Sequence, residues 1–287
     1  MGYLIATTLM WAFSFSFIGE FLAGEVDSYF AVLVRVGLAS LVFLPFTKFR
    51  GIPRGLQGKI MGIGAVQVGV MYLFFYHSFA YLRVPEVVLF TIFTPFYVTL
   101  IYDAMGRRFR PLYLVSAGVA VLGAYIIRFH HVDTGFLVGF LLVQGANVCF
   151  ALGQSAYKKV MESHTTFNQR DGFGYFHLGA LGVVSVAFVL FGDTTRISPT
   201  LTQWAVLLWL GMVASGAGYF WWNKGACHVD AGVLAIMNNA LVPAGLLVNL
   251  FLWGKPANFS TLIIGSIVIG CSLWLHHYFM RTYSQTP

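Results

Sequence analysis

The sequence predicts an all-α integral membrane protein whose ten transmembrane helices form two inverted five-helix repeats. Three observations favour this fold class: a composition too apolar for a water-exposed surface, a regular recurrence of apolar runs, and a weak internal repeat. Of the 287 residues, 58% are hydrophobic and only 9% are charged, and the mean hydropathy is +0.77. Soluble domains carry about 25% charged residues, so lipid is the only solvent that suits this chain.

Apolar runs of about 17–25 residues, the length that a helix needs to cross a bilayer, recur along the chain. No alternation of apolar and polar residues indicates a barrel, so helices are the expected spanning structure. The predicted spans are 3–20, 29–46, 60–78, 86–103, 111–128, 136–157, 172–191, 202–222, 230–252 and 260–280.

Basic residues indicate which loops face the cytoplasm. Most of the 17 Lys and Arg residues follow even-numbered spans. These residues are Lys48, Arg50, Arg54, Lys59, Arg107, Arg108, Arg110, Lys158, Lys159, Arg170, Lys224 and Arg281. Cytoplasmic loops are enriched in Lys and Arg, so both termini are expected in the cytoplasm. The net charge of +7 is then a feature of topology and does not indicate nucleic-acid binding.

The two halves of the chain, residues 1–130 and 131–287, resemble each other weakly. The matched stretches are WAFSFS (Trp11–Ser16) with FALGQS (Phe150–Ser155), GVMY (Gly69–Tyr72) with GAGY (Gly216–Tyr219), and the prolines Pro95 with Pro243. Because five spans is an odd number, the second repeat must enter the membrane from the opposite face. Inverted repeats are typical of secondary transporters, which bind substrate between the repeats near the midplane.

Arg35 is an unusual residue, since it lies within the apolar run Ser28–Phe46. Insertion of Arg at a helix centre costs about 2.5–3.5 kcal/mol, and less where the side chain can reach the interface. Two explanations are open. Arg35 could form an ion pair with Glu20, Asp27 or Glu86, which lie at the outer ends of spans, or it could bind a substrate carboxylate. The two roles are compatible, because an acidic residue can hold Arg35 until an anionic substrate displaces it.

The same three carboxylates are candidates for gating or for carrying a coupling proton, and ordinary solvated carboxylates are the alternative. Amides within the spans could bind substrate or make interhelical hydrogen bonds. Aromatic residues in the spans that the repeat brings together are expected to wall an apolar cavity. The candidate amides are Gln144, Asn147, Asn238 and Asn239, with Gln67 favoured as a structural residue, and the candidate aromatics are Trp11, Tyr72, Tyr219 and Trp222.

No catalytic or nucleotide-binding pattern is present, such as HExxH, GxSxG or GxxxxGK[ST]. The pairs His130–His131 and His276–His277 suggest no third metal ligand. An enzyme or receptor would need a polar catalytic constellation or a soluble output domain, and the sequence has neither. We therefore expect no cofactor, no metal and no ATPase subunit, and transport driven by a gradient.

Ten spans in two halves, with Pro95 and Pro243 in the fourth and ninth, resemble the drug/metabolite transporter superfamily and its EamA-type repeat. Longer stretches are similar to the YigM-type biotin transporters of bacterial inner membranes. These stretches are WAFSFSFIGEFLAGEVDSYFAVLVRVGLASLVFLPF (Trp11–Phe46), TPFYVTLIYDAM (Thr94–Met105), VASGAGYFWWNKGACHVDAGVLAIMNNALVPAGLLVNL (Val213–Leu250) and SLWLHH (Ser272–His277).

The resemblance implies a protein embedded in the lipid bilayer of the bacterial inner membrane that imports biotin across it without a partner ATPase. The chemistry of biotin suits the candidate residues, because Arg35 could hold its carboxylate and Asn side chains could pair with its ureido ring. Apolar and aromatic walls would suit its ring sulfur and alkyl chain. An exporter of amino acids or other metabolites is the alternative within the same superfamily.

Overall fold

The structure is a computed structural model that describes residues 1–107, 109, 111–127, 136–253 and 259–285. All long regular elements in these ranges are helices. In chain order they are α1 (Gly2–Leu22), α2 (Ser28–Phe46), α3 (Arg54–Ser78), α4 (Glu86–Met105), α5 (Pro111–Ile127), α6 (Phe136–Glu162), α7 (Gln169–Phe191), α8 (Leu201–Ala226), α9 (Ala231–Trp253) and α10 (Phe259–Gln285).

Eight of these helices are long and apolar enough to cross a membrane. The apolar parts of α5 and α10 are shorter, at Pro111–Gly123 and Ile263–Phe279. Helices α5 and α10 pack against each other. The prediction of an all-helical, multi-pass membrane protein is therefore confirmed. Of the two histidine pairs, His130–His131 lies outside the described residues.

Four lysines that the sequence assigned to loops lie inside helices. Lys59 is in α3, Lys158 and Lys159 are in α6, and Lys224 is in α8. The ends of the apolar runs therefore predict helix ends that come too early. A helix can continue past the apolar run where long lysine stems carry the ammonium to water or to a polar partner. Lys158 is only 6% exposed, and its Nζ donates to the Val229 carbonyl at 2.7 Å, which ties α6 to the loop before α9.

Helices α3 and α7 approach each other backbone to backbone. A Cβ added at Gly64 would lie 1.8 Å from the carbonyl oxygen of Phe176, and one added at Gly179 would lie 1.9 Å from that of Met61. Small residues allow such close approach in membranes, where packing and not water drives helix association. The α3–α7 contact therefore depends on glycine, which has no side chain, at these two positions.

Several helices change their hydrogen-bonding pattern within the membrane. Helix α1 ends in a π-helical stretch at Ile18–Leu22, and α3 and α8 contain others at Ala65–Val70 and Trp209–Ala217. Helix α4 becomes a 3₁₀ helix at Thr91–Phe93, and α9 is interrupted by a turn at Ala240. Such breaks release backbone groups that side chains must satisfy, and they are frequent at functional sites.

Asp230 joins the start of α9 to α10. Its Oδ1 accepts hydrogen bonds from the backbone N–H groups of Gly232 (2.8 Å) and Val233 (3.0 Å), and it lies 2.6 Å from Nε2 of the fully buried His276. Burial favours the neutral acid, but the hydrogen bonds from His276 and the two backbone groups outweigh it and lower the pKa of Asp230. His276 Nδ1 also lies 3.2 Å from Ser116 Oγ, so α5 belongs to the same junction.

Replacing Asp230 by Ala should destabilise the fold by about 1–3 kcal/mol, because the helix cap and the His276 partner are lost together. Asp230→Asn keeps a capping oxygen and should cost less. Because the folded pKa is lowered, this contribution is present above the unfolded Asp pKa of about 3.9 and is lost as the pH falls through the folded value. Thermal unfolding of the detergent-solubilised protein at pH 7 measures the difference, and equal melting temperatures for wild type and Asp230→Ala would contradict it.

Candidate functional site

A cavity of about 100 Å³ lies among α1, α2, α3, α4, α6, α8 and α9. It is therefore lined by both halves of the chain. Apolar and aromatic surface dominates, with a few polar groups, which is typical of small-molecule sites. Seven of the residues that the sequence nominated line it, and these are Trp11, Arg35, Tyr72, Asn147, Tyr219, Trp222 and Asn238. Gln144 and Asn239 do not.

Arg35 reaches the cavity from α2 and is only 3% exposed. Its Nε donates to Ser215 Oγ at 2.6 Å, and its Nη1 donates to Tyr76 Oη at 3.3 Å. The guanidinium carbon lies 4.3 Å from the ring centroid of Tyr72, whose hydroxyl is 2.8 Å from Ser215 Oγ. The other N–H groups of the guanidinium donate to no atom of the described residues, so they can bind an anion in the cavity.

The ion pair considered for Arg35 is absent from the part of the chain that the structure describes. Asp27 Oδ1 instead accepts a hydrogen bond from the Phe30 backbone N–H at 2.8 Å. Glu86 Oε2 accepts one from the Arg83 backbone N–H at 2.7 Å. Glu20 is exposed in the last turn of α1, and none of the three carboxylates lines the cavity. Hydroxyls and aromatic faces thus surround a cation without supplying a full negative charge.

Four aromatic rings form one wall of the cavity, and Tyr72 continues it. The Trp11 centroid lies 5.0 Å from that of Tyr219, 5.0 Å from that of Trp222 and 5.7 Å from that of Phe150. The Trp11 N–H donates to a backbone carbonyl of α8 at 2.8 Å, so its polar atom is already paired. Tyr72 extends the wall towards Arg35, with its centroid 5.9 Å from that of Tyr219. The wall therefore offers aromatic surface to an apolar ligand.

Three of the nominated amides satisfy the backbone where α4 changes geometry. Gln144 Nε2 (3.1 Å) and Asn147 Nδ2 (2.8 Å) both donate to the Phe90 carbonyl, and Asn239 Nδ2 donates to the Ile92 carbonyl at 3.1 Å. An unpaired carbonyl at this depth would be costly, since no water is present to satisfy it. These amides therefore have a structural function, and Asn147 adds a position in the cavity lining.

A second set of amides links α3, α6, α8 and α9. Gln154 Nε2 donates to Asn238 Oδ1 at 3.3 Å, while its Oε1 accepts from Trp222 Nε1 at 2.9 Å. Asn238 Nδ2 donates to a carbonyl one turn earlier in α9 at 2.8 Å. Gln67 and Asn223 form a reciprocal amide pair, with distances of 2.9 and 3.3 Å, which agrees with the structural role favoured for Gln67.

Sequence reasoning missed Tyr76, Ser215, Gln154 and Ser14. Tyr76 lies one helical turn after Tyr72 and so shares its face, which the i, i+4 spacing could have indicated. Ser215 directly precedes the GAGY stretch and gave no chemical signal of its own. Gln154 and Ser14 lie in apolar runs, and only their neighbours in space give them a role.

The profile of the EamA-like transporter family matches residues 1–129. A curated biotin transporter of Escherichia coli (strain K12) is 53% identical over 277 residues, covering 96% of this chain and 92% of its own. A biotin transporter of Salmonella typhimurium has 52% identity with the same coverage. A probable biotin transporter of Pseudomonas aeruginosa has 52% identity and is covered over 97% of its length.

A solved crystal structure with 16% sequence identity superimposes with a TM-score of 0.77 and covers 97% of both chains. At this identity the match shows a common fold and nothing further. The family resemblance seen in the sequence is confirmed by the curated relatives, which align over nearly the whole chain. This chain therefore belongs to the EamA-like transporter family, together with these curated bacterial biotin transporters.

Proposed function

We propose that this protein is a secondary transporter that imports biotin across the bacterial inner membrane by alternating access. The observation that carries the proposal is Arg35, a buried guanidinium with spare N–H donors in an aromatic cavity that both halves of the chain line. Such a group binds a monocarboxylate better than a neutral or cationic molecule. The curated relatives of this chain are named biotin transporters, which supports biotin as that carboxylate.

The proposed substrate would contact three kinds of surface. Its valerate carboxylate would bind Arg35, and its alkyl chain and sulfur ring would pack on Trp11, Tyr219 and Trp222. Its ureido ring would meet the amides in the lining, Asn147 and Asn238. Asn239 and Gln144, which the sequence also nominated, would support the site from outside the lining.

We further propose ten spans in two inverted repeats, residues 1–130 and 131–287. Equivalent helices of the two repeats are interrupted at corresponding points. The π-helical stretches of α3 and α8 end shortly before Tyr72 and Tyr219, and the breaks of α4 and α9 come shortly before Pro95 and Pro243. Broken helices at the repeat interface are typical of transporter substrate sites. The basic loops would place both termini in the cytoplasm.

Import against a gradient would use a coupling proton or ion, without an ATPase subunit. The acidic residues expected to carry a proton, Glu20, Asp27 and Glu86, lie away from the cavity lining. The coupling site would therefore lie apart from the substrate cavity. Export of amino acids or other small metabolites is the alternative function. Among the described residues no carboxylate lines the cavity, so an amino acid would bring an uncompensated ammonium group.

Competition during uptake of labelled biotin tests the proposal. We expect unlabelled biotin and desthiobiotin to compete strongly, because both carry a carboxylate and a cyclic urea. Biotin methyl ester should compete at least about tenfold more weakly, because the charge-assisted contact to Arg35 is lost. Free amino acids should not compete. Equal competition by the ester and the acid would show that Arg35 does not bind the carboxylate, and failure of the gene to support growth of a biotin auxotroph at trace biotin would contradict import.

A further inference from the structure

The cavity contains more hydrogen-bonding capacity than its own residues use. Most of its polar side chains are already paired: the hydroxyls of Thr8, Thr91 and Thr94 donate to carbonyls of their own helices at 2.9, 2.7 and 2.7 Å. Apart from the N–H donors of Arg35, the unused hydrogen-bonding groups that the structure defines best are those of Asn147 and Ser14. The chemistry of these two groups indicates what else a ligand must carry.

Asn147 offers a hydrogen-bond acceptor and no donor. Its Nδ2 donates to the Phe90 carbonyl at 2.8 Å and to Gln144 Oε1 at 3.2 Å, which uses both N–H groups. Rotating the amide by half a turn would place its oxygen against two other oxygens, so this network fixes the orientation. Asn147 Oδ1 accepts from no described residue, and the side chain lines the cavity. It is therefore a fixed, neutral acceptor for a ligand N–H.

Ser14 offers a hydroxyl that no other described residue uses. It is 5% exposed and lines the same cavity, and its Oγ has no hydrogen-bond partner among the described residues. A buried hydroxyl without a partner is costly and is uncommon in native proteins unless a ligand or water completes it. Asn238 also has an unused hydrogen-bond donor, because only one of its two N–H groups donates to a described residue. Both side chains can donate to a ligand carbonyl.

Building on the proposed function, we propose that Asn147 and Ser14 form a subsite for the cyclic urea of the substrate, separate in chemistry from the carboxylate contact at Arg35. Asn147 Oδ1 accepts a ring N–H, and the Ser14 hydroxyl, assisted by Asn238, donates to the ring carbonyl. The site thus selects an acid that also carries a neutral N–H donor next to a carbonyl. An alkanoic acid without that group leaves the subsite unpaired and is rejected for that reason.

Ser14→Ala tests the subsite with little structural cost. We expect the KM for biotin to rise about tenfold, since one neutral donor is lost. The melting temperature of the purified protein without substrate should not fall, because the variant removes an unpartnered polar group. Ser155→Ala is the matched control, because Ser155 is likewise a buried hydroxyl without a partner among the described residues but does not line the cavity. It should leave both the KM and the melting temperature unchanged.

Discrimination between two competitors separates this subsite from the carboxylate contact. Desthiobiotin carries the cyclic urea and the acid, whereas lipoic acid carries the acid alone. In wild type, desthiobiotin should inhibit biotin uptake at a far lower concentration than lipoic acid. Ser14→Ala and Asn147→Ala should each reduce the ratio of the two inhibitory concentrations about tenfold. If wild type transports biotin but neither variant reduces the ratio of the two inhibitory concentrations, the subsite is overturned and the proposed function stands. If wild type transports no biotin, the proposed function fails, and the subsite fails with it.

Discussion

Replacing Arg35 by Ala should reduce biotin uptake about 100-fold or more, because charge-assisted hydrogen bonds to a carboxylate contribute about 1.5–3 kcal/mol each. The loss should appear mainly in KM, since the guanidinium contacts the substrate from the moment of binding. Biotin methyl ester should lose much less affinity for the variant than biotin does. Uptake of labelled biotin in cells, normalised to the amount of protein in the membrane, measures both effects.

Arg35→Lys is the matched control for charge. An ammonium retains the positive charge but cannot donate to Ser215, to Tyr76 and to a carboxylate with the planar geometry of a guanidinium. We expect intermediate uptake, well below that of wild type. The protein level of Arg35→Ala should not fall, because the variant removes a buried cation that no described carboxylate neutralises. Wild-type uptake by Arg35→Ala would remove this residue from the site, whatever its contacts.

Replacing Gly64 by Ala should strongly reduce the amount of folded protein. The new Cβ would lie 1.8 Å from the Phe176 carbonyl oxygen, an overlap with backbone that no rotamer change relieves. Overpacking of this kind costs about 1–3 kcal/mol, and a backbone clash belongs at the upper end of that range. Fluorescence-detected size exclusion and thermal unfolding in detergent both report the loss.

Gly62 provides the control on the same helix, because a Cβ there meets nothing within 4 Å. Gly62→Ala should remain close to wild type or gain slightly in stability through its better helix propensity. The partner helix repeats the comparison, with Gly179→Ala damaging and Gly182→Ala tolerated, since only the former meets backbone. Similar stability of Gly64→Ala and Gly62→Ala would refute the close α3–α7 contact.

Seven of the nominated site residues line one cavity, although they lie on six different helices. Two expectations predict them: polar groups are costly in lipid, and the inverted repeats expected from the sequence would bring equivalent helices together. The sequence does not distinguish an amide that binds substrate from one that donates a hydrogen bond to a backbone carbonyl. Gln144 and Asn239 donate to carbonyls of α4, and the sequence of α4 alone does not show where this helix changes to 3₁₀ geometry.

The helix ends were predicted less well than the helices. Lys158 was expected in a solvated loop, but it lies within α6 and is nearly buried, with its ammonium on the Val229 carbonyl. Hydropathy measures where apolar residues stop, whereas backbone hydrogen bonding decides where a helix stops. The helix end and the end of the apolar run differ wherever a long side chain can bring its charge to water or to a hydrogen-bond acceptor.

By itself the sequence determined that this protein lies in lipid as a bundle of helices and that Arg35 needs a partner. Both conclusions follow from the free energy of transferring each residue type, which depends on composition and not on neighbours. Only the tertiary structure decided what that partner is. Ser215, Tyr72 and Tyr76 come from other helices, and distances of a few ångströms, which no local pattern encodes, determine whether a hydroxyl or a carboxylate meets the guanidinium.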